Sequence, residues 1–146
     1  MPFLPPSTNE QYMGAPIAAH FLTLVGVLTI LPGLIHTFLP DGGAGVIAGL
    51  DLSVNGATVI GVFAWAGATQ IVWGTALLVA SRRYRSFVPP LLVLVTIERG
   101  LIALNIWLLK AAASGHRPPE AYATLVSLPL LLGAFALSLR GHKEES

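Results

Sequence analysis

Four long apolar runs take up most of this chain and restrict it to a narrow class of folds. They cover residues 15–39, 57–80, 87–109 and 121–139. A helix needs about 20 apolar residues to cross the hydrocarbon core of a bilayer. All four runs reach or nearly reach this length, so the sequence predicts four membrane-spanning α-helices.

Composition supports a membrane protein of one domain. The 146 residues are 54% hydrophobic and only 10% charged, whereas soluble domains are about 25% charged. We assign residues 15–140 to the transmembrane domain, 1–14 to an extended N-terminal arm and 141–146 to a polar tail. The net charge of +1 gives no basis for nucleic-acid binding, and the absence of cysteine excludes disulfides and thiol chemistry.

Basic residues are unequally distributed between the two ends of the predicted helices. The loop at 81–86 holds three arginines and the tail adds Arg140 and Lys143, whereas the other two loops hold only Lys110 and Arg117. Basic loops stay in the cytoplasm, so both termini are predicted to be cytoplasmic. Short loops make successive helices antiparallel neighbours, which predicts an all-α up-down four-helix bundle in a bacterial inner membrane.

Glycines recur at intervals that place them on single helix faces. Gly26 and Gly33 are seven residues apart in the first run, and Gly67 and Gly74 are seven apart in the second. Seven residues make two helical turns, and small residues let membrane helices approach closely. We interpret these faces as ordinary helix-packing surfaces rather than as a dedicated dimerisation motif.

The loop at 40–56 is too short and too rich in glycine to span a membrane. Its apolar residues Val46, Ile47, Leu50 and Val54 recur at helical spacing, which predicts a short helical element on the outer surface or in the bundle mouth. The glycine spacing does not match a dinucleotide-binding fingerprint, and no strand precedes these glycines.

Two adjacent charges, Glu98 and Arg99, lie inside the third apolar run. A charge at the bilayer centre costs at least about 2.5–3.5 kcal/mol, so such residues normally face a bundle interior or a wet cavity. Neighbours on a helix point about 100° apart, so Glu98 shares a face with Asn105 while Arg99 points toward a neighbouring helix or a partner subunit. Gln70 lies at similar depth in the second run and is the expected hydrogen-bond partner of Glu98.

Two interpretations of this polar group remain open. In the first, Glu98 accepts a proton or holds the polar head of a ligand. In the second, Glu98, Arg99 and Gln70 form a polar clamp that fixes helix register. Interhelical hydrogen bonds in membranes average only about 0.6 kcal/mol, which is little against the cost of burying two charges and favours the first interpretation slightly.

His36 is the other polar residue of interest, since it follows Pro32 by one turn near the outer mouth. It is a candidate contact for a quinone or a lipid headgroup, although a plain interfacial histidine is the favoured interpretation. Asp41 and Asp51 could complete a metal set with His36, but loop carboxylates are usually solvated and we predict no metal site. His20 faces away from His36, so a haem held between them is not expected.

The order of several features along residues 15 to 140 is distinctive. The first span carries a Pro-Gly pair before a glycine-rich loop, the second ends in the run from Gly74 to Arg82, and the third carries the buried pair Arg99-Gly100. This layout resembles the DoxX-like group of small four-helix membrane proteins. The resemblance implies a four-helix bundle and suggests a quinone or an accessory role. It transfers no catalytic residue to this chain.

These observations support one leading hypothesis and one alternative. The leading hypothesis is a non-enzymatic accessory or structural subunit, with Arg99 or a small-residue face contacting a membrane-protein partner or a second copy. The alternative is a quinone- or small-ligand-binding redox or transport protein whose site includes Glu98, Gln70, Asn105 and His36. A homo-oligomeric channel is a weaker third class, because no helix carries a repeated polar stripe.

Overall fold

A computed structural model describes residues 3–111, 115 and 117–141. In that part of the chain there is no strand, and four α-helices are present: α1 Pro16–Phe38, α2 Gly56–Arg83, α3 Val88–Leu104 and α4 Pro119–Ser138. The backbone continues from α3 through a π-helical segment, Asn105–Leu109. By length and composition all four could cross a membrane, the third as the stretch Arg85–Leu109. The predicted all-α, four-helix fold is confirmed.

Proline and the N-terminal arm explain where the helices begin and end. The helices α1, α3 and α4 each have a proline in their first two positions, where its missing N–H removes no helical hydrogen bond. Helix α2 runs three residues past its predicted end because the arm caps it. Asn9 Nδ2 donates to the carbonyl of Arg82 at 2.8 Å and Ser7 Oγ to that of Arg83 at 2.9 Å, which satisfies carbonyls that a helix end leaves free.

Helices α1 and α2 form a close antiparallel pair through the two predicted glycine faces. A Cβ added to Gly74 would lie 2.7 Å from the carbonyl oxygen of Gly26, and one added to Gly67 would lie 2.8 Å from that of Gly33. The four glycines therefore meet in two pairs, and the backbones approach more closely than any side chain would permit. Thr23 adds a hydrogen bond across the pair, from its Oγ1 to Ser81 Oγ at 2.8 Å.

The largest fully buried side chains form one leucine layer near the arginine-rich loop. Each helix contributes one leucine with at most 1% of its surface exposed: Leu22, Leu77, Leu92 and Leu131. Away from this layer the bundle loosens. Helix α3 packs along α4, but few residues of α2 and α3 touch. The four helices are thus joined firmly at one end, and a groove lies between α2 and α3.

Both described ends of the chain lie beside the arginine-rich loop. The N–H of Ala15 donates to the carbonyl of Leu137 near the end of α4, at 3.2 Å. The arm also contacts the loop itself, since Ser86 Oγ donates to Thr8 Oγ1 at 2.8 Å and Tyr84 donates to the carbonyl of Pro5 at 2.9 Å. We call this end of the bundle the arginine end, and the other the distal end.

The distal loop is organised by Asp41 rather than by a helix. The Asp41 carboxylate accepts backbone N–H bonds from Val46, Gly43 and Gly45 at 2.8–3.0 Å, and these bonds lower its pKa below the ordinary 3.8. Gly43 has a φ of +75°, a conformation that side chains disfavour. The predicted helical element was wrong: residues 40–48 form successive turns, and Val46 is 81% exposed. The backbone hydrogen bonds to the Asp41 carboxylate hold these residues in turns, although their apolar residues are spaced as in a helix.

Candidate functional site

A groove between α2 and α3 forms a cavity with a volume of about 820 Å³. Its walls are mostly apolar and its polar groups are few. The lining includes Trp65, Thr69, Gln70, Trp73, Leu94 and Glu98. Two of the predicted site residues, Gln70 and Glu98, therefore face the same cavity from different helices.

The groove contains two buried oxygen atoms that accept no hydrogen bond. They are Oε1 of Gln70 and Oε2 of Glu98. The predicted hydrogen bond between these two side chains was wrong, because none joins them among the described residues and both unpartnered atoms are acceptors. A buried polar group left without a partner costs about 1–3 kcal/mol, so a hydrogen-bond donor that reached these oxygens would be stabilised.

Arg99 points to the other side of α3, as the 100° offset from Glu98 predicts. Its guanidinium pairs with the carboxylate of Glu120 in the first turn of α4. The Arg99 side chain is 17% exposed and that of Glu120 is 45% exposed. Glu120 also lies at the positive end of the α4 dipole, which favours an acidic residue. Arg99 is therefore neutralised within the chain and does not interact with Gln70.

Sequence reasoning placed Glu120 in a loop and missed it as a partner for Arg99. The pair borders a smaller cavity of about 320 Å³ between α1, α3 and α4, with Phe21, Leu28 and Leu130 among its apolar walls. A usable signal was present. Glu120 follows two prolines that mark a helix start, and it is the only acidic residue near the distal end of the fourth run.

Asn105 does not join the groove. Its Nδ2 donates to the carbonyl of Leu101 on its own helix at 2.8 Å, and it is not among the residues that line the cavity. The helix changes to π-helical geometry at Asn105, so the spacing that aligned it with Glu98 ends there. Asn105 is a helix-terminal residue rather than a ligand contact in this structure.

His36 is also separate from the groove. Its Nδ1 lies 2.6 Å from the carbonyl oxygen of Gly42, and its ring meets that of Phe63 edge-on at 5.0 Å between centroids. A carbonyl only accepts, so this contact requires Nδ1 to carry the proton. His36 thereby fastens the distal loop to α1. No group of three potential metal-binding side chains occurs among the described residues, and His116 and His142 lie outside them.

The groove also contains two aromatic rings that could hold a ligand. Trp65 is 74% exposed and Trp73 is half-buried, and both lie on α2, eight residues apart. Trp107 lies elsewhere: its Nε1 donates to the carbonyl of Ala121 at 3.2 Å, and its ring lies under the guanidinium of Arg117 at 5.0 Å. Only the α2 tryptophans can therefore contact an occupant of the groove.

Comparison with known protein families, curated proteins and solved structures finds no match to this chain. The site must therefore be interpreted from its own geometry. It combines an open apolar groove, two indole rings, and a carboxylate and an amide oxygen that have no partner.

Proposed function

We propose that this chain is a multi-pass protein of a bacterial inner membrane that binds a membrane-soluble amphiphile in the α2–α3 groove. The observation that carries the proposal is that Gln70 and Glu98 line a mostly apolar cavity and that one buried oxygen of each, Gln70 Oε1 and Glu98 Oε2, has no hydrogen-bond partner. Ligand sites are typically apolar clefts with a few convergent polar groups. A polar head at these oxygens and an apolar body along Leu94 and Val72 would match the lining.

The chemistry of the two oxygens restricts the head of the ligand. Both atoms accept hydrogen bonds, so the head must donate them. The DoxX-like resemblance suggests a quinone, but an oxidised quinone offers only carbonyl acceptors. Within that class, the reduced hydroquinone with its two hydroxyl groups is the better complement to Gln70 and Glu98.

Native mass spectrometry of protein extracted in a lipid-preserving medium tests this proposal. The wild-type chain should carry a stoichiometric small molecule, and Glu98→Gln should lose most of it. Glu10→Gln is the matched control, since it makes the same chemical change at an exposed position in the arm. Equal ligand occupancy in wild type and in Glu98→Gln would refute the assignment of Glu98.

An accessory role in a larger membrane assembly is the second candidate. It is favoured by exposed small residues on α2, Ala57 and Gly61, since a Cβ on Gly61 would meet no atom within 4 Å. Such surfaces allow close helix contact. Because Arg99 is paired with Glu120, we now assign the contact to this face rather than to Arg99.

Gly61→Leu tests the accessory role. A bulky side chain there should dissociate a partner chain or a second copy, and it should shift the native complex to lower mass. Gly133→Leu on α4 is the control, since a Cβ there also meets nothing within 4 Å. An unchanged mass in Gly61→Leu would remove the support for this surface as an interface.

A further inference from the structure

The two adjacent charged residues of α3, Glu98 and Arg99, do not neutralise each other. Arg99 is neutralised by Glu120 on the opposite side of the helix, so it does not compensate its neighbour Glu98. The other residues that line the groove are two tryptophans, a glutamine, a threonine and four aliphatic residues, none of which is ionisable. Glu98 is thus the single charged group in the described lining of this cavity.

A carboxylate in such surroundings needs a counter-charge. An ionised group in apolar surroundings is unfavourable unless a partner of opposite charge or a hydrogen-bond donor compensates it. One oxygen of Glu98 is already buried and accepts no hydrogen bond. A cation that entered the groove would supply both the opposite charge and, if it carried N–H groups, the missing donor.

The tryptophans favour the same type of occupant. Indole is the best of the aromatic side chains at attracting a cation over its face, and the attraction reaches about 2 kcal/mol or more when the pair is desolvated. Trp65 and Trp73 both line the groove that contains Glu98. Carboxylate, indole and apolar wall together match a hydrophobic body that ends in a positive charge.

We propose that the ligand of this groove is a lipophilic amine in its protonated form. Its ammonium N–H groups would donate to Glu98 Oε2 and Gln70 Oε1, and its hydrocarbon part would lie along the tryptophans and aliphatic side chains. This inference rests on the proposed ligand-binding function and names its substrate class. A neutral hydroxyl head would satisfy the hydrogen bonds and leave the charge of Glu98 without a partner.

The test compares dodecylamine with dodecanol, two probes of equal chain length, on the full chain in nanodiscs of zwitterionic lipid. The change in intensity and emission maximum of tryptophan fluorescence is followed as a function of the probe-to-lipid ratio. Dodecylamine should saturate with at least about tenfold higher affinity than dodecanol, the ratio that about 1.4 kcal/mol of charge and cation–π attraction produces. Glu98→Gln should abolish that preference, whereas Glu10→Gln should retain it.

A groove-filling variant, Ala68→Phe, separates this inference from the function on which it rests. If both probes bind equally, and Ala68→Phe removes both, the groove is a binding site but the preference for a cation is refuted. If neither probe shows saturable binding that depends on Ala68, the proposed function fails together with the inference. A preference for dodecylamine that survives in Glu98→Gln would also overturn it, because the charge would then come from elsewhere.

Discussion

The α1–α2 crossing should not tolerate even one added methyl group. In Gly67→Ala the new Cβ would lie 2.7 Å from His36 Cβ, 2.8 Å from the Gly33 carbonyl oxygen and 2.8 Å from Thr37 Oγ1. Two of these atoms belong to backbone or to a β-carbon, which cannot rotate away. The helices must therefore separate locally, and the neighbouring contact between Gly26 and Gly74 would be strained as well.

The loss of stability expected for Gly67→Ala can be estimated by comparison with Gly61, a second glycine on the same helix. Overpacking a close interface costs about 1–3 kcal/mol, while replacing a mid-helix glycine by alanine gains about 0.5–1 kcal/mol. At Gly61 a Cβ meets no atom within 4 Å, so Gly61→Ala has the gain without the clash. Both variants gain the same helix propensity, so this gain cancels when they are compared. Gly67→Ala should have a free energy of unfolding about 1–3 kcal/mol lower than that of Gly61→Ala.

Reversible unfolding in mixed micelles, monitored by circular dichroism, would measure this difference. Gly67→Ala should unfold at a lower denaturant fraction than wild type, and Gly61→Ala at an equal or higher one. If Gly67→Ala proved as stable as Gly61→Ala, the close approach of α1 and α2 would not exist as described, and the pairing of the two glycine faces would be refuted.

Three further predictions follow from the ion pair, the distal loop and the basic-residue distribution. Arg99→Leu and Glu120→Leu should each destabilise the chain more than the double variant, with a coupling of about 1–3 kcal/mol in a double-mutant cycle because the pair is only partly buried; purely additive effects would contradict the pairing. The backbone bonds that lower the pKa of Asp41 stabilise the distal loop above the ordinary carboxyl range, and this contribution disappears as pH falls through the lowered pKa. The hydrogen-exchange protection factors of the Gly43 and Val46 amides, which correct for the intrinsic pH dependence of exchange, should therefore fall in acid, and in Asp41→Asn they should be low at every pH. The chain has no cysteine, so Gln11→Cys should be protected from an impermeant maleimide in spheroplasts and Ser53→Cys labelled, and the reverse pattern would overturn the cytoplasmic assignment of the arginine end.

Helix number and helix faces could be predicted from sequence because both depend on local patterns. The apolar runs fix the spans through their length, and the seven-residue spacing of Gly26 and Gly33 fixes a face through helix geometry. Which face meets which depends on tertiary packing. The sequence identified the two glycine faces as packing surfaces, but only the structure places Gly26 against Gly74 and Gly33 against Gly67.

The candidate site was predicted less well, because polar side chains choose among competing partners. Gln70 and Glu98, which lie at similar depth, both line the groove, but the hydrogen bond predicted between them does not form. Asn105 instead took the nearest backbone carbonyl on its own helix, a local bond that competes with tertiary contacts for such residues. Arg99 pairs with Glu120 because its long side chain places the guanidinium far from its own Cα. The position of Arg99 in the sequence therefore does not predict which residue it contacts.

The position of the groove also determines the route by which an occupant would arrive. The groove opens sideways between the middle portions of α2 and α3, where Val72 is 72% exposed and Trp65 is 74% exposed, and the leucine layer closes the bundle toward the arginine end. In a bilayer this opening faces acyl chains rather than water. The mole fraction of ligand in the lipid would then determine the occupancy of the groove. An apparent affinity calculated from the aqueous ligand concentration would include the partition coefficient of the ligand, and it would change with the amount of membrane in the assay.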